Sequence, residues 1–305
     1  MTSDLAVLRQ RAMDRAKQLV PGDARVRIVR TRLAARIPTA RWRSLPDVLI
    51  LGGMRCGTSS LYKYLGYHPG IAPSLRKEVE YFTRSFSEGE GWYRAHFPVA
   101  ARRRAHRRLT GRDLVSFEAS PYYLLHPHAP ERARALVPDA RLIVMVRDPV
   151  ERAFSHWQHM VRHGIEDLSF EDAVDAEEAR LAPEWERLAE DPTYVSTIHY
   201  HCSYLARSRY AEQLERWLAH YPADRFLVVS SDAMYADVGA TYARVLDFMG
   251  VPRWAPKTFE NYSYLGADFG PATSTLDPGT RSRLDAVFAA DQARLAALTD
   301  GMTRA

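Results

Sequence analysis

Cysteine is nearly absent: the 305 residues hold two, Cys56 and Cys202, with no CxxC pair. That leaves no disulfide scaffold and no cysteine-rich zinc site, and a chain this long buries a core without covalent help. The pattern fits a reducing compartment. Long apolar runs are also missing. Residues 48–51 and 142–146 are far short of the ~20 residues that a membrane-spanning helix needs. Near Met1, the arginines Arg9, Arg11 and Arg15 break up the apolar positions before a signal-peptide core forms, so a cytoplasmic protein is expected. Internal repeats and low-complexity tracts are lacking too. Hydrophobic residues make up 46% and charged residues 26%, which excludes wholesale disorder and a fibre. At roughly 150 residues per domain, the length allows two domains or one large α/β domain.

Charge is unevenly placed. Residues 1–45 hold 11 Lys+Arg against 3 Asp+Glu, a net of +8, and the rest hold 31 against 34, a net of −3. The expected organisation is a basic, helical N-terminal arm over 1–45 and a single main domain over 46–305. Such an arm suits peripheral contact with anionic lipid or an acidic partner, or a solvated helix held on the body by Leu5, Leu8, Met13 and Leu19; the helix is the preferred reading. The basic run of residues 102–108, RRRAHRR, has no interleaved aromatic or glycine residues. It reads as a solvated helix face, and no nucleic-acid partner is expected.

Three uninterrupted apolar runs, 48–51, 142–146 and 226–229, read as fully buried strands of a parallel sheet. Each precedes helical spacing: Leu61, Tyr64 and Leu65 after the first, Val150, Ala153, Phe154 and Trp157 after the second, and residues 238–249 after the third. Residues 166–191 are helix-prone, and 209–220 form an amphipathic helix with Tyr210, Leu214, Trp217 and Leu218 on one face. Buried strands alternating with helices predict an α/β fold with a mainly parallel sheet. The first strand ends in Gly52-Gly53-Met54-Arg55-Cys56-Gly57, followed by the hydroxyl residues Thr58, Ser59 and Ser60. A glycine loop between a buried strand and a helix points backbone N–H groups at one spot, which suits phosphate or sulfate. The spacing matches the phosphate loop of nucleotide triphosphatases, but Thr58 stands where their lysine would be, and the cation is Arg55 inside the loop. A P-loop small-molecule kinase using ATP, with Asp148 as a magnesium ligand, is the alternative reading.

Residues 46–65, PDVLILGGMRCGTSSLYKYL, resemble the 5′-phosphosulfate loop of the sulfotransferases that use 3′-phosphoadenosine-5′-phosphosulfate (PAPS). Residues 141–157, RLIVMVRDPVERAFSHW, resemble that family's 3′-phosphate motif. Residues 118–123 and 210–252 resemble its connecting segment and its C-terminal helix, strand and helix, so the likeness covers roughly 46–300. It is greatest to bacterial enzymes akin to carbohydrate (heparan-type) sulfotransferases. The resemblance implies a P-loop-like, mainly parallel central sheet flanked by helices over 46–305. It also implies transfer of a sulfuryl group from PAPS, leaving 3′,5′-bisphosphoadenosine, to a hydroxyl or amine of a carbohydrate or of a glycosylated or natural-product small molecule. No metal is expected, because sulfuryl carries less charge than phosphoryl, and His199, His201 and Cys202 read as packing or acceptor-loop residues.

Carried onto this sequence, the donor-binding residues are Arg55, Cys56, Gly57, Thr58, Ser59 and Ser60 at the 5′ end, with Arg147 and Ser155 at the 3′-phosphate. The family's KE-x-x-[FY]-F pattern places its glutamate base at Glu78, and Arg55 stabilises charge at the leaving oxygen. Lys77, Glu80 and Ser120 are expected on the substrate side, with Glu78 and Glu80 on a strand and pointing the same way. Two departures stand out. Ala119 occupies a position where the family often has lysine, and residues 261–271 lack an obvious basic-glycine loop. Arg281 and Arg283 fall in an apparent helix and carry no assignment.

Overall fold

The computed structural model describes residues 22–260, 262, 275–300 and 302–304. The arm before residue 22, with Leu5, Leu8, Met13 and Leu19, and the 261–271 segment apart from Tyr262 lie outside the described residues.

The three apolar runs form β1 (Val48–Gly52), β4 (Arg141–Val146) and β5 (Phe226–Ser230). Two further strands, β2 (Ile71–Pro73) and β3 (Val115–Ala119), join them, and the two-residue β6 (Thr303–Arg304) lies at one edge. The sheet order is β2-β3-β1-β4-β5-β6, with every pairing parallel. Val48 of β1 sits opposite Phe117 on one side and Arg141 on the other. All five residues of both β1 and β3 are buried, as expected of strands covered by helices on both faces.

The principal helices are α1 (Gly22–Arg36), α2 (Thr58–Tyr67), α3 (Ala100–Thr110), α4 (Pro149–Arg162), α5 (Glu177–Glu190), α6 (Tyr210–Leu218), α7 (Ser231–Ala236), α8 (Val238–Met249) and α9 (Pro278–Leu298). The main core packs Leu49, Ile50, Phe117 and Ile143 of the sheet against Leu61, Leu65, Leu214 and Trp217. A second core joins α4 to α9 through Val150, Trp157, Phe170, Leu284 and Phe288. Local chemistry sets the helix ends. The Asp148 carboxylate accepts the Glu151 N–H at 2.8 Å and Pro149 opens α4, while Gly250, at φ 70°, closes α8. α3 buries no residue and carries the basic run on its surface. Of the described part of the arm, Arg43 donates to the Phe97 carbonyl at 2.8 Å and the Ser44 N–H to the Pro98 carbonyl at 3.0 Å.

The segment 74–82 departs from expectation. It forms no strand, and both Glu78 (φ 60°) and Glu80 (φ 56°) are left-handed. Its N–H groups are satisfied without a regular ladder. Glu78 donates to the Ala119 carbonyl at 2.9 Å and Glu80 to Ser120 Oγ at 3.0 Å. The two carboxylates therefore diverge instead of sharing a face.

Candidate active site

In this sheet β3 and β4 flank β1 on opposite sides, so the chain leaves its centre in both directions. Ligands of such sheets bind at the carboxyl ends of the strands where this happens. The loop 53–57 lies there. Gly57 has φ 84°, and a Cβ on it would come within 2.7 Å of Met234 Cε and 3.1 Å of Tyr235 Oη on α7. Only glycine lets the loop pass beneath α7 in this conformation. Gly57 caps α2 without a side chain. The first N–H groups of α2, at Thr58, Ser59 and Ser60, thus have no intrahelical acceptor, and the positive helix end opens outward.

Arg55 is itself left-handed, at φ 68°, and its Nε donates to Ser155 Oγ on α4 at 3.1 Å. Burial, then the nearby charges of Arg162 and Arg147, hold its guanidinium below the ordinary arginine value. Positive charge is thus concentrated around Arg55, an arrangement that an anion relieves. Arg147 follows the last residue of β4, and its backbone N–H meets the Tyr210 hydroxyl at 3.4 Å. Among the described residues, its side chain makes a long contact, 3.5 Å, with Glu151. Arg281, unassigned in the sequence, reaches Asp148 at 2.7 Å and Glu151 at 3.6 Å, and so engages the acidic side of this turn.

Arg55, Gly57, Thr58, Ser59, Ser60, Lys77, Glu78, Arg147 and Ser155 all line one cleft of about 1020 Å³, large enough for a nucleotide-sized ligand. Lys77 and Glu78 form an ion pair in its wall. Burial pushes the Glu78 carboxyl up, but Lys77, with help from Arg207 and His159, brings it below the usual carboxylate range.

Three expected residues are not brought to this cleft. The Cys56 side chain turns into the core, with Sγ 3.4 Å from the Tyr210 hydroxyl, and burial raises its thiol. Glu80 is buried. Its carboxylate accepts from the Tyr200 hydroxyl at 2.8 Å and from Arg84 at 3.4 Å, and burial raises it. The Ser120 hydroxyl is wholly buried, donating to Glu118 Oε2 at 2.8 Å while accepting from the Glu80 N–H.

The cleft also contains His201, read from the sequence as a packing or acceptor-loop residue, and residues that sequence reasoning did not single out, among them His159, Tyr200 and Tyr235. His159 is one helical turn beyond Ser155, a spacing that was visible. Burial, then Arg55, pushes it down to about 4, so the imidazole is neutral near pH 7. Tyr200 and His201 come from the short helix Thr197–His201. His199 and His201 diverge: His199 is buried against the Tyr122 hydroxyl at 2.6 Å, whereas His201 faces the cleft.

Residues 46–256 match the Sulfotransferase family. The bifunctional heparan sulfate N-deacetylase/N-sulfotransferase 1 of Caenorhabditis elegans is 26% identical over 274 residues, covering 83% of this chain and 29% of that protein. The heparan sulfate glucosamine 3-O-sulfotransferase 3B1 of Homo sapiens is 31% identical over 211 residues, covering 69% of this chain and 47% of that protein. The chain thus spans less than half the length of these curated relatives. Among solved structures, a sulfotransferase from Alicyclobacillus acidocaldarius superposes with a TM-score of 0.60 at 29% identity, covering 84% of this chain and 96% of that one.

Proposed function

This chain belongs to the sulfotransferase family and is an enzyme of that type, and from that premise we propose that it moves a sulfuryl group from PAPS to a hydroxyl or amine of a carbohydrate acceptor. The observation that carries the reading is that Arg55 and Arg147 line the same cleft as the uncapped start of α2. PAPS is anionic at both ends, so it needs a second cationic site beyond a phosphate loop, and Arg147 with Ser155 supplies fork-shaped and hydroxyl donors for it. The carbohydrate class follows the relatives, whose names specify heparan sulfate and its glucosamine.

In the proposed step an acceptor oxygen or nitrogen attacks sulfur. The new bond forms as the bridging S–O bond breaks, and the leaving 5′-phosphate oxygen keeps the electron pair. Glu78 takes the acceptor proton, while Arg55 and the α2 N–H groups stabilise the charge that builds on the leaving oxygen. Lys77 keeps Glu78 ionised and ready to accept that proton. The kinase alternative is disfavoured by Thr58 in place of the lysine and by Asp148, whose two oxygens are engaged by the Glu151 N–H and Arg281. Turnover with PAPS in EDTA against turnover with ATP and Mg²⁺ tests the donor. Glu78→Gln tests the base: turnover should fall by ~10²–10⁴-fold with affinity for 3′,5′-bisphosphoadenosine retained. Undiminished turnover in that variant would remove Glu78 from the mechanism.

A further inference from the structure

The Glu118 carboxylate lies in β3, is 0% exposed, and does not line the cleft. Three hydroxyls point at it: Tyr93 and Tyr123 at Oε1, the latter at 3.0 Å, and Ser120 at Oε2 at 2.8 Å. Two of these hydroxyl oxygens in turn receive backbone N–H groups of the segment that presents Glu78. Ser120 Oγ accepts from Glu80 at 3.0 Å, and Tyr123 Oη accepts from Tyr81 at 2.8 Å and from Phe82 at 3.4 Å. A hydroxyl has one proton and two lone pairs, whereas an ionised carboxylate only accepts. With Glu118 taking their protons, Ser120 and Tyr123 can meet the backbone only as acceptors.

We propose that Glu118, through Ser120 and Tyr123, positions Glu78: the buried carboxylate fixes the direction of both hydroxyls, and these hold the left-handed turn over 78–80 that places the Glu78 carboxylate in the cleft. The inference rests on the reading of Glu78 as the base. Left-handed conformations at two non-glycine residues persist only where the surroundings over-determine them. Here the over-determination comes from the Ala119 carbonyl at Glu78 and the two hydroxyls at Glu80 and Tyr81. A polar network so buried, with every member satisfied, specifies one arrangement more sharply than apolar packing would. Glu118 is lifted to about 7 by burial, its three hydroxyl partners opposing the rise and the neighbouring Glu80 charge adding to it. Both oxygens of the buried carboxyl nonetheless remain engaged by the three hydroxyls. None of the three residues touches the cleft, so they are positioning residues.

The test is a double-mutant cycle read through kcat, KM for PAPS, and hydrogen exchange at the 80–82 amides. Ser120→Ala removes the acceptor for the Glu80 N–H and should lower kcat by ~10–100-fold, the size of loss that a misplaced catalytic group brings. KM for PAPS should stay within about twofold, and exchange at Glu80 should quicken. Glu118→Gln, which must turn an amide donor toward one hydroxyl, should behave alike, while Ser120→Thr, which keeps the hydroxyl, should recover most of the turnover. In the Glu78→Gln background Ser120→Ala should cost almost nothing more, because its effect passes through Glu78. Tyr123→Phe repeats the test on the other arm, with one oxygen removed and no packing lost, should either other variant fail to fold. Wild-type kcat in folded Ser120→Ala and Glu118→Gln, or an undiminished loss in the Glu78→Gln background, would overturn the proposal. If Glu78→Gln alone keeps full turnover, the base assignment has failed instead, and exchange at 80–82 still shows whether the network holds the turn.

Discussion

On the proposed reading, Arg147 is the residue on which donor selectivity should turn. Its contact with Glu151 is long and partly exposed, a kind of pair worth ~0–1 kcal/mol, so the guanidinium is available to a better anion. A charge-assisted hydrogen bond to a ribose 3′-phosphate contributes ~1.5–3 kcal/mol, or about 10–150-fold in affinity. The protein should therefore bind 3′,5′-bisphosphoadenosine at least tenfold more tightly than AMP. Arg147→Ala should erase most of that preference with the fold intact. Calorimetry on both nucleotides checks it, and equal affinities in the unaltered protein would refute the assignment. Glu78 and Glu80 show how sharply two nearby carboxylates can be separated. Lys77 draws Glu78 down despite burial, whereas burial draws Glu80 up despite Tyr200 and Arg84. Glu80→Gln should accordingly cost far less turnover than Glu78→Gln. The acid limb of the pH–rate profile due to Glu78 should lie below the usual carboxylate range, leaving this group ionised throughout pH 6–8. A neutral-pH limb that vanishes in Glu78→Gln would contradict that.

The strands that could be read from the sequence were those whose apolar runs are unbroken. β3, with Ser116 and Glu118 alternating with Val115, Phe117 and Ala119, imitates a half-exposed strand, yet all five residues are buried. Its polar side chains are satisfied inside: Ser116 Oγ donates to the Leu45 carbonyl and Asp47, both at 3.1 Å, and Glu118 accepts three hydroxyls. Nothing local announces such partners. The same reason defeats the strand expected at 78–80, since the acceptors that hold it come from 40 or more residues further along the chain. The glycine loop, by contrast, was legible because Gly57 and the start of α2 encode their geometry locally. α4 was legible too, through Asp148 and Pro149, and it supplies an energetic test. Asp148→Ala removes the helix cap and the Arg281 partner together, for a loss of ~1–2 kcal/mol in unfolding free energy. Asp148→Asn keeps the cap and should recover about half or more of it. Equal destabilisation by both variants in urea titrations would show that the ion pair, and not the cap, holds the start of α4.

Residues 36–44 are tied to the body through the Phe97 and Pro98 carbonyls. A chain beginning at residue 46 should therefore melt lower and, where folded, still turn over a soluble acceptor. The balance of buried titratable groups sets a stronger expectation for the protein as a unit. His96, His126, His156 and His199 are each at most 3% exposed. Burial pushes His96 and His199 down to about 3, His126 to about 2 and His156 well below its ordinary value. Their folded values lie below the unfolded 6.5, so the stability they allow is complete above pH 6.5 and is lost as pH falls. Glu118 and Glu177 act in the opposite sense. Burial raises both to about 7 from 4.5, so their contribution is complete below pH 4.5 and is lost as pH rises through 7. Between pH 6 and 5, counting these six groups alone, the unfolded chain thus holds nearly four imidazole protons that the native one lacks, and the native chain holds nearly two carboxyl protons that the unfolded one has released. The difference of two protons corresponds to a loss of ~2.7 kcal/mol per pH unit on acidification. Against a total of ~5–15 kcal/mol, that removes about a third or more of the stability by pH 4.5. Urea midpoints at pH 7, 6 and 5 measure the slope, and His126→Asn should reduce it by ~1.4 kcal/mol per unit. A stability that stays level from pH 7 to 5 would mean that these histidines take up protons in the folded state, which their burial opposes.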